Sequence, residues 1–101
     1  MNDFTVELAT IQLPDFGLPA ELPKVPADEY AARLAEAQRR AIARGLDALV
    51  VYGDREHFAN LAFLTGYDPR FEESLLVVTS RPSDDSPPTL LVGNEGLGYA
   101  A

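Results

Sequence analysis

The sequence predicts an α/β fold, a mixed β-sheet flanked by helices, and three observations carry that expectation. Ala48–Tyr52 and Leu75–Val78 are short, continuous apolar runs rich in β-branched residues. Such runs suit strands covered on both faces, as in an α/β sheet. Between them, residues 56–65 carry Phe58, Leu61, Ala62 and Leu64 at helical spacing. Ahead of both, residues 28–44 hold an apolar stripe with the period of an amphipathic helix.

Taken in order, the chain begins with a leader over residues 1–27. Phe4, Val6 and Leu8 alternate with Thr5, Glu7 and Ala9, a pattern that permits a short strand within residues 1–12. Residues 13–26, LPDFGLPAELPKVP, contain four prolines and a glycine. Each proline fixes φ and removes a backbone donor, so this stretch should be extended and irregular. Its apolar residues Phe16, Leu18 and Leu22 either strap the leader to its own domain, the preferred reading, or lie on a partner surface.

The domain proper spans residues 28–101. Its first helix, residues 28–44, places Asp28 and Glu29 at the N-terminus, where they cap or favour the positive dipole end. Tyr30, Leu34, Ala37, Ala41 and Ile42 form the stripe, and Arg33, Glu36, Arg39 and Arg40 fall mostly on the wet side. Gly45 stops the helix. Gly66 ends the second helix in the same way, because glycine tolerates the left-handed conformation at that position. Asp68-Pro69 then makes a turn. Residues 81–88, RPSDDSPP, are a turn-forming cluster too short for a crossover helix, so Thr89–Val92 should pair antiparallel to the preceding strand.

Composition sets the outer bounds. The 101 residues make one domain at most, and 47% apolar content is that of a globular chain. Sixteen acids against 8 bases give a formal charge of −8, which argues against nucleic acid as a partner. With no cysteine, neither disulfides nor thiolate metal sites can form, which fits a cytoplasmic protein. The N-terminal residues lack the basic and apolar regions of a signal peptide, and no run reaches the ~18 residues of a membrane span.

The ordered set Tyr30 and Arg33, then Gly45-Leu46-Asp47-Ala48, then Asn60-Leu61-Ala62-Phe63-Leu64-Thr65-Gly66 resembles the N-terminal domain of the creatinase, Xaa-Pro aminopeptidase and prolidase family. The resemblance covers roughly residues 28–101. It implies an α/β domain with a ribonuclease-H-like motif, longer than this chain and therefore incomplete as given. It also implies a separate catalytic domain holding a divalent metal pair (Mn, Co or Zn) on Asp, His and Glu ligands. No catalytic residue and no metal ligand is assigned within this chain, so it has no cofactor of its own. The implied partners are the domain's own catalytic domain and a second subunit of a homodimer.

The resemblance also draws attention to the loop Tyr67–Glu73. In creatinase-like relatives the corresponding loop reaches a neighbouring subunit's active site, where an aromatic residue and an arginine help hold substrate. Arg70 and Phe71 stand at about that place and are the substrate-contact candidates. A guanidinium fork suits a substrate carboxylate, although Glu72 and Glu73 can equally hold Arg70 in a local ion pair.

The other chemical features read as structural. His57, beside Asp54 and Glu56, is the single histidine and best fits a helix-start residue that is exposed or hydrogen-bonded. Glu72-Glu73 and Asp84-Asp85 are adjacent acids, a spacing poor for paired acid–base work. Gly93, Gly96 and Gly98 form a strand-to-helix turn rather than a phosphate loop, since Glu95 would repel phosphate. Arg39, Arg40 and Arg44 read as a solvated helix face. One helix layer over three strands leaves the far sheet face poorly covered, and such a surface recruits another copy. A free-standing interaction module, binding through the leader and the exposed sheet, is the alternative from a different functional class.

Overall fold

An amphipathic helix opens the ordered domain. In the computed structural model, which describes residues 3–81 and 87–100, helix α1 spans Ala27–Ala43. Pro26 stands at its N-cap without a side-chain cap, so Asp28 and Glu29 act through the dipole. At the other end the Leu46 N–H donates to the Ala41 carbonyl (3.0 Å) and the Gly45 N–H to the Ile42 carbonyl (2.9 Å). That is a Schellman pair around a left-handed glycine, φ 69° at Gly45.

The chain then runs directly into strand β1, Ala48–Gly53. Helix α2 follows at Ala59–Thr65, then strand β2 at Ser74–Thr79 and strand β3 at Thr89–Leu91. A 3₁₀ turn at Asn94–Gly96 leads into a last short helix, α3, at Leu97–Ala100. Among the described residues the result is a mixed α/β domain of three α-helices and a three-stranded sheet. Helix α2 begins three residues later than the sequence pattern predicts, because residues 54–58 form a separate turn. Within residues 3–12 the alternating pattern forms no strand.

The sheet is antiparallel throughout, in the order β1-β2-β3, where the sequence pattern predicts a mixed sheet. The cause lies in the connection between β1 and β2. Its helix has seven residues, ~10 Å of rise, and the chain returns to the end of β1 that it left, so Gly53 faces Ser74. The β2–β3 pairing is antiparallel as the short link requires. Most of the turn cluster in that link, including Asp84 and Asp85, lies outside the described residues.

Both long helices cover one face of this sheet. Leu61, Leu64 and Tyr67 bury against Leu76 and Val78, with Leu34, Ala37, Leu49, Val51, Leu90 and Val92 packed around them. Gln38 ties α1 to the sheet by donating to the Thr79 carbonyl at 2.6 Å. The opposite face is open: Val50, Tyr52 and Leu91 are about half exposed. The strands are thus covered on one face only in this chain, and β2 alternates buried and half-buried residues accordingly. Residues 3–24 form neither helix nor strand and are exposed, not strapped to the domain, with a turn at Gly17 (φ 67°) and a bend at residues 20–21. Among the described residues no helix is long and apolar enough to cross a membrane.

Gly66 closes α2 with φ 75°, its N–H donating to the Ala62 carbonyl at 2.8 Å, while Tyr30 of α1 lies across it. A Cβ at Gly66 would sit 2.9 Å from the Tyr30 ring, whereas one at Gly45 would meet nothing within 4 Å. Alanine at either position should cost ~1–2 kcal/mol for the left-handed backbone. Gly66→Ala should cost measurably more, because it also displaces Tyr30. Urea denaturation of the two variants side by side checks this, and equal losses would show that the ring yields freely.

Candidate functional site

The pairing of Gly53 with Ser74 brings two turns together at one end of the sheet. Asp54, Arg55 and Glu56 come from the turn after β1, and Phe71, Glu72 and Glu73 from the loop before β2. Together they line an open cleft of about 230 Å³. Four carboxylates and one guanidinium make it electronegative.

Asp54 organises the first wall. Its Oδ1 accepts from the backbone N–H groups of Glu56 (2.9 Å) and His57 (2.6 Å) and lies 3.0 Å from His57 Nδ1. Its Oδ2 accepts from the Tyr52 hydroxyl at 2.9 Å. These donors, the His57 N–H foremost, hold the Asp54 carboxyl down at about 2 against the opposing effect of burial. The same bond pushes the Tyr52 hydroxyl up. His57 is three-quarters exposed and serves this turn. The spacing that carries this arrangement, an aspartate two and three residues ahead of the N–H groups it caps, is readable in Asp54-Arg55-Glu56-His57.

The second wall is pinned at both ends. Tyr67 and Pro69 are buried, and the Tyr67 N–H donates to Thr65 Oγ1 at 3.0 Å. Glu72 lies half-buried against the backbone of Gly93, where a Cβ would collide with its carboxylate. Between these anchors Arg70 and Phe71 are presented outward. Phe71 lines the cleft and stacks at 5.4 Å and 43° on Tyr99 of α3, a contact the sequence does not signal. Arg70 stands outside the cleft, 69% exposed, with Nε 3.5 Å from Asp68 Oδ2. Its ion-pair partner is therefore Asp68, in place of Glu72 or Glu73, because the Asp68-Pro69 turn folds the Arg70 N–H back onto the Asp68 carbonyl at 2.8 Å.

A second, apolar concavity lies on the other side of the domain. Ala32, Arg33, Glu36, Ala37 and Arg40 of α1 face Phe63 and Leu64 of α2 across about 460 Å³. Phe63 and Leu64 also border a groove of about 380 Å³ along β1, lined by Leu49, Val50, Val51, Tyr52 and Asn60. Arg33 is not on the wet side of α1. It donates to the Phe63 carbonyl at 2.9 Å and to Glu29 at 2.8 Å, with its guanidinium 4.2 Å over the Phe63 ring. The neighbouring ring and carbonyl outcompete water there. Arg39 and Arg40 are exposed and both bind Glu36 at 2.7 Å, the solvated face expected of them, and hold its carboxyl down at about 2.

Among the described residues no three His, Asp or Glu side chains are grouped to hold a metal ion. Comparison with family models, with curated proteins and with solved structures finds no match to this chain.

The Asp54 turn has a pH signature. Its carboxyl titrates near 4 when unfolded and at about 2 when folded, so its contribution is complete above ~4 and is lost as pH falls toward 2. Glu36 titrates in the same window and serves as the control. Asp54→Asn should lower the melting temperature at neutral pH, with the gap to wild type closing below ~pH 3. Melting curves across that range, with Glu36→Gln alongside, check it. A gap that stays constant down to pH ~2 would remove Asp54 from the acid response.

Proposed function

We propose that this chain is the N-terminal, non-metal-binding domain of a metal-dependent Xaa-Pro peptidase or creatinase-like hydrolase. The observation that carries this reading is mutual contact among the motif residues that prompted it. Arg33 binds the Phe63 carbonyl and Tyr30 lies over Gly66, across some thirty residues of sequence. The Gly45-Leu46-Asp47-Ala48 segment connects the helix carrying Tyr30 and Arg33 to the strand beside α2. Two of the three motif pieces therefore pack on one another and the third joins them along the chain, which supports their belonging to one domain.

In this reading the domain supports dimerisation and shapes access to a neighbouring subunit's active site. On the same reading the metal pair belongs to a separate catalytic domain, as the resemblance implies. Arg70 and Phe71 meet substrate: Phe71 offers an apolar face and Arg70 a fork for a carboxylate or carbonyl. Anchored ends at Pro69 and Glu72 favour that role, because a presented arginine on a held loop loses little freedom on binding. The alternative, an interaction module without enzymatic role, draws on the open sheet face and the exposed leader. Coding sequence for Asp, Asp, His, Glu and Glu ligands downstream separates the two.

Two measurements test the assignment of roles. Calorimetric titration of this chain with manganese, cobalt or zinc should show no stoichiometric submicromolar site, and finding one would reassign the metal chemistry to this domain. In an enzyme containing the domain, Arg70→Ala should weaken transition-state binding by ~1.5–3 kcal/mol, read as kcat/KM. Stability should hold, since the exposed pair with Asp68 contributes only ~0–1 kcal/mol. Arg70→Lys should rescue partly. Unchanged kinetics, or a loss that tracks unfolding, would return Arg70 to a structural role.

A further inference from the structure

The two edges of the sheet are unlike. β3 is three residues long and is preceded by Pro87-Pro88, which blunts it. β1 is six residues long, ALVVYG, with neither charge nor proline, and among the described residues it pairs with β2 alone. Its free side exposes a row of backbone donors and acceptors ~20 Å long. Beneath that edge runs the apolar groove bounded by Leu49, Val51, Phe63 and Leu64, with Phe63 56% exposed.

The same chain carries an unused strand sequence. Phe4, Val6 and Leu8 alternate with Thr5, Glu7 and Ala9, and none of the described residues covers them: Phe4 is 88% and Val6 93% exposed. The radius of gyration, 20.8 Å against ~13 Å for a compact chain of this length, reflects a leader that projects away from its own domain.

We propose that the leader of a second copy of this chain adds as a strand along the free edge of β1, reciprocally, so that two copies exchange leaders. Phe4, Val6 and Leu8 enter the Phe63 groove, and Thr5 and Glu7 face the open side. The backbone of residues 4–9 meets the unpaired groups of β1, whose six-residue length it matches. One strap and one edge per copy close under twofold symmetry, leaving neither over. The proposal stands on the fold alone and holds whether or not the peptidase reading does.

Sedimentation equilibrium of the whole chain should show a dimer. Val6→Lys, at a side chain without contacts in its own domain, should raise the dissociation constant about tenfold or more with the melt otherwise unchanged. Because the chain lacks cysteine, cross-linking gives a clean second readout. Val6→Cys mixed with Phe63→Cys should oxidise to a covalent dimer joining one copy of each. A monomer at all concentrations, or a dimer indifferent to Val6→Lys, overturns the proposal. So does an internal cross-link within a chain carrying both cysteines, which would place the leader on its own domain.

Discussion

Burial of Leu61 is the constraint on which the rest of this domain depends. A seven-residue helix has no stability of its own, and α2 persists because Leu61 and Leu64 insert between α1 and the sheet. Leu61 is wholly buried, and a Cβ at Gly53 would come within 2.8 Å of its Cδ2. The end of β1 and the helix therefore approach as closely as backbone and side chain allow. That approach fixes where the chain can go after Gly66: back to the same end of the sheet, with β2 antiparallel to β1. The loop Tyr67–Glu73 and the cleft beside it follow from the same return path.

The local elements were legible in the sequence, and their assembly was legible only in part. The first two helices, the three strands of the sheet, the Gly45 and Gly66 stops and the antiparallel β2–β3 link follow from periodicity and turn chemistry, which are local properties. The direction of β2 relative to β1 does not, because it depends on how far α2 travels before the chain turns back. Arg33 shows the same limit on a smaller scale. Helical spacing puts it on the polar side, yet a ring and a carbonyl from α2, thirty residues away, draw its guanidinium down over Phe63. Within the candidate site, Phe71 and the Asp54 turn are readable as residues, whereas the Phe71–Tyr99 stack and the Asp68 partner of Arg70 arise from tertiary return.

Charge is distributed in keeping with these two ends. The acidic cleft collects Asp54, Glu56, Glu72 and Glu73 where two turns meet, and Tyr52 and the Asp54-capped N–H groups stabilise part of that charge locally. Helix α1 and its cap residue hold Arg33, Arg39, Arg40 and Arg44, half of the chain's 8 bases, on the other side of the domain. Two of these, Arg33 and Arg40, line the apolar concavity, each paired with a glutamate of the same helix. Exposed ion pairs within α1 contribute little to stability, so their arrangement weighs more on what approaches that side than on folding.

Edge management ties the fold to association. Antiparallel sheets tolerate one wet face but not a long, flat, uncharged edge, which templates pairing with any available strand. This domain protects β3 with two prolines and leaves β1 bare over its whole length. A bare edge is safe only if a specific strand reaches it before a foreign one does. The leader has the alternation and the length to be that strand, and the prolines within residues 13–26 limit how far the intervening chain can collapse, so that it spans a distance. The proline spacing of the leader and the bareness of β1 are then two halves of one device, each without purpose in the absence of the other.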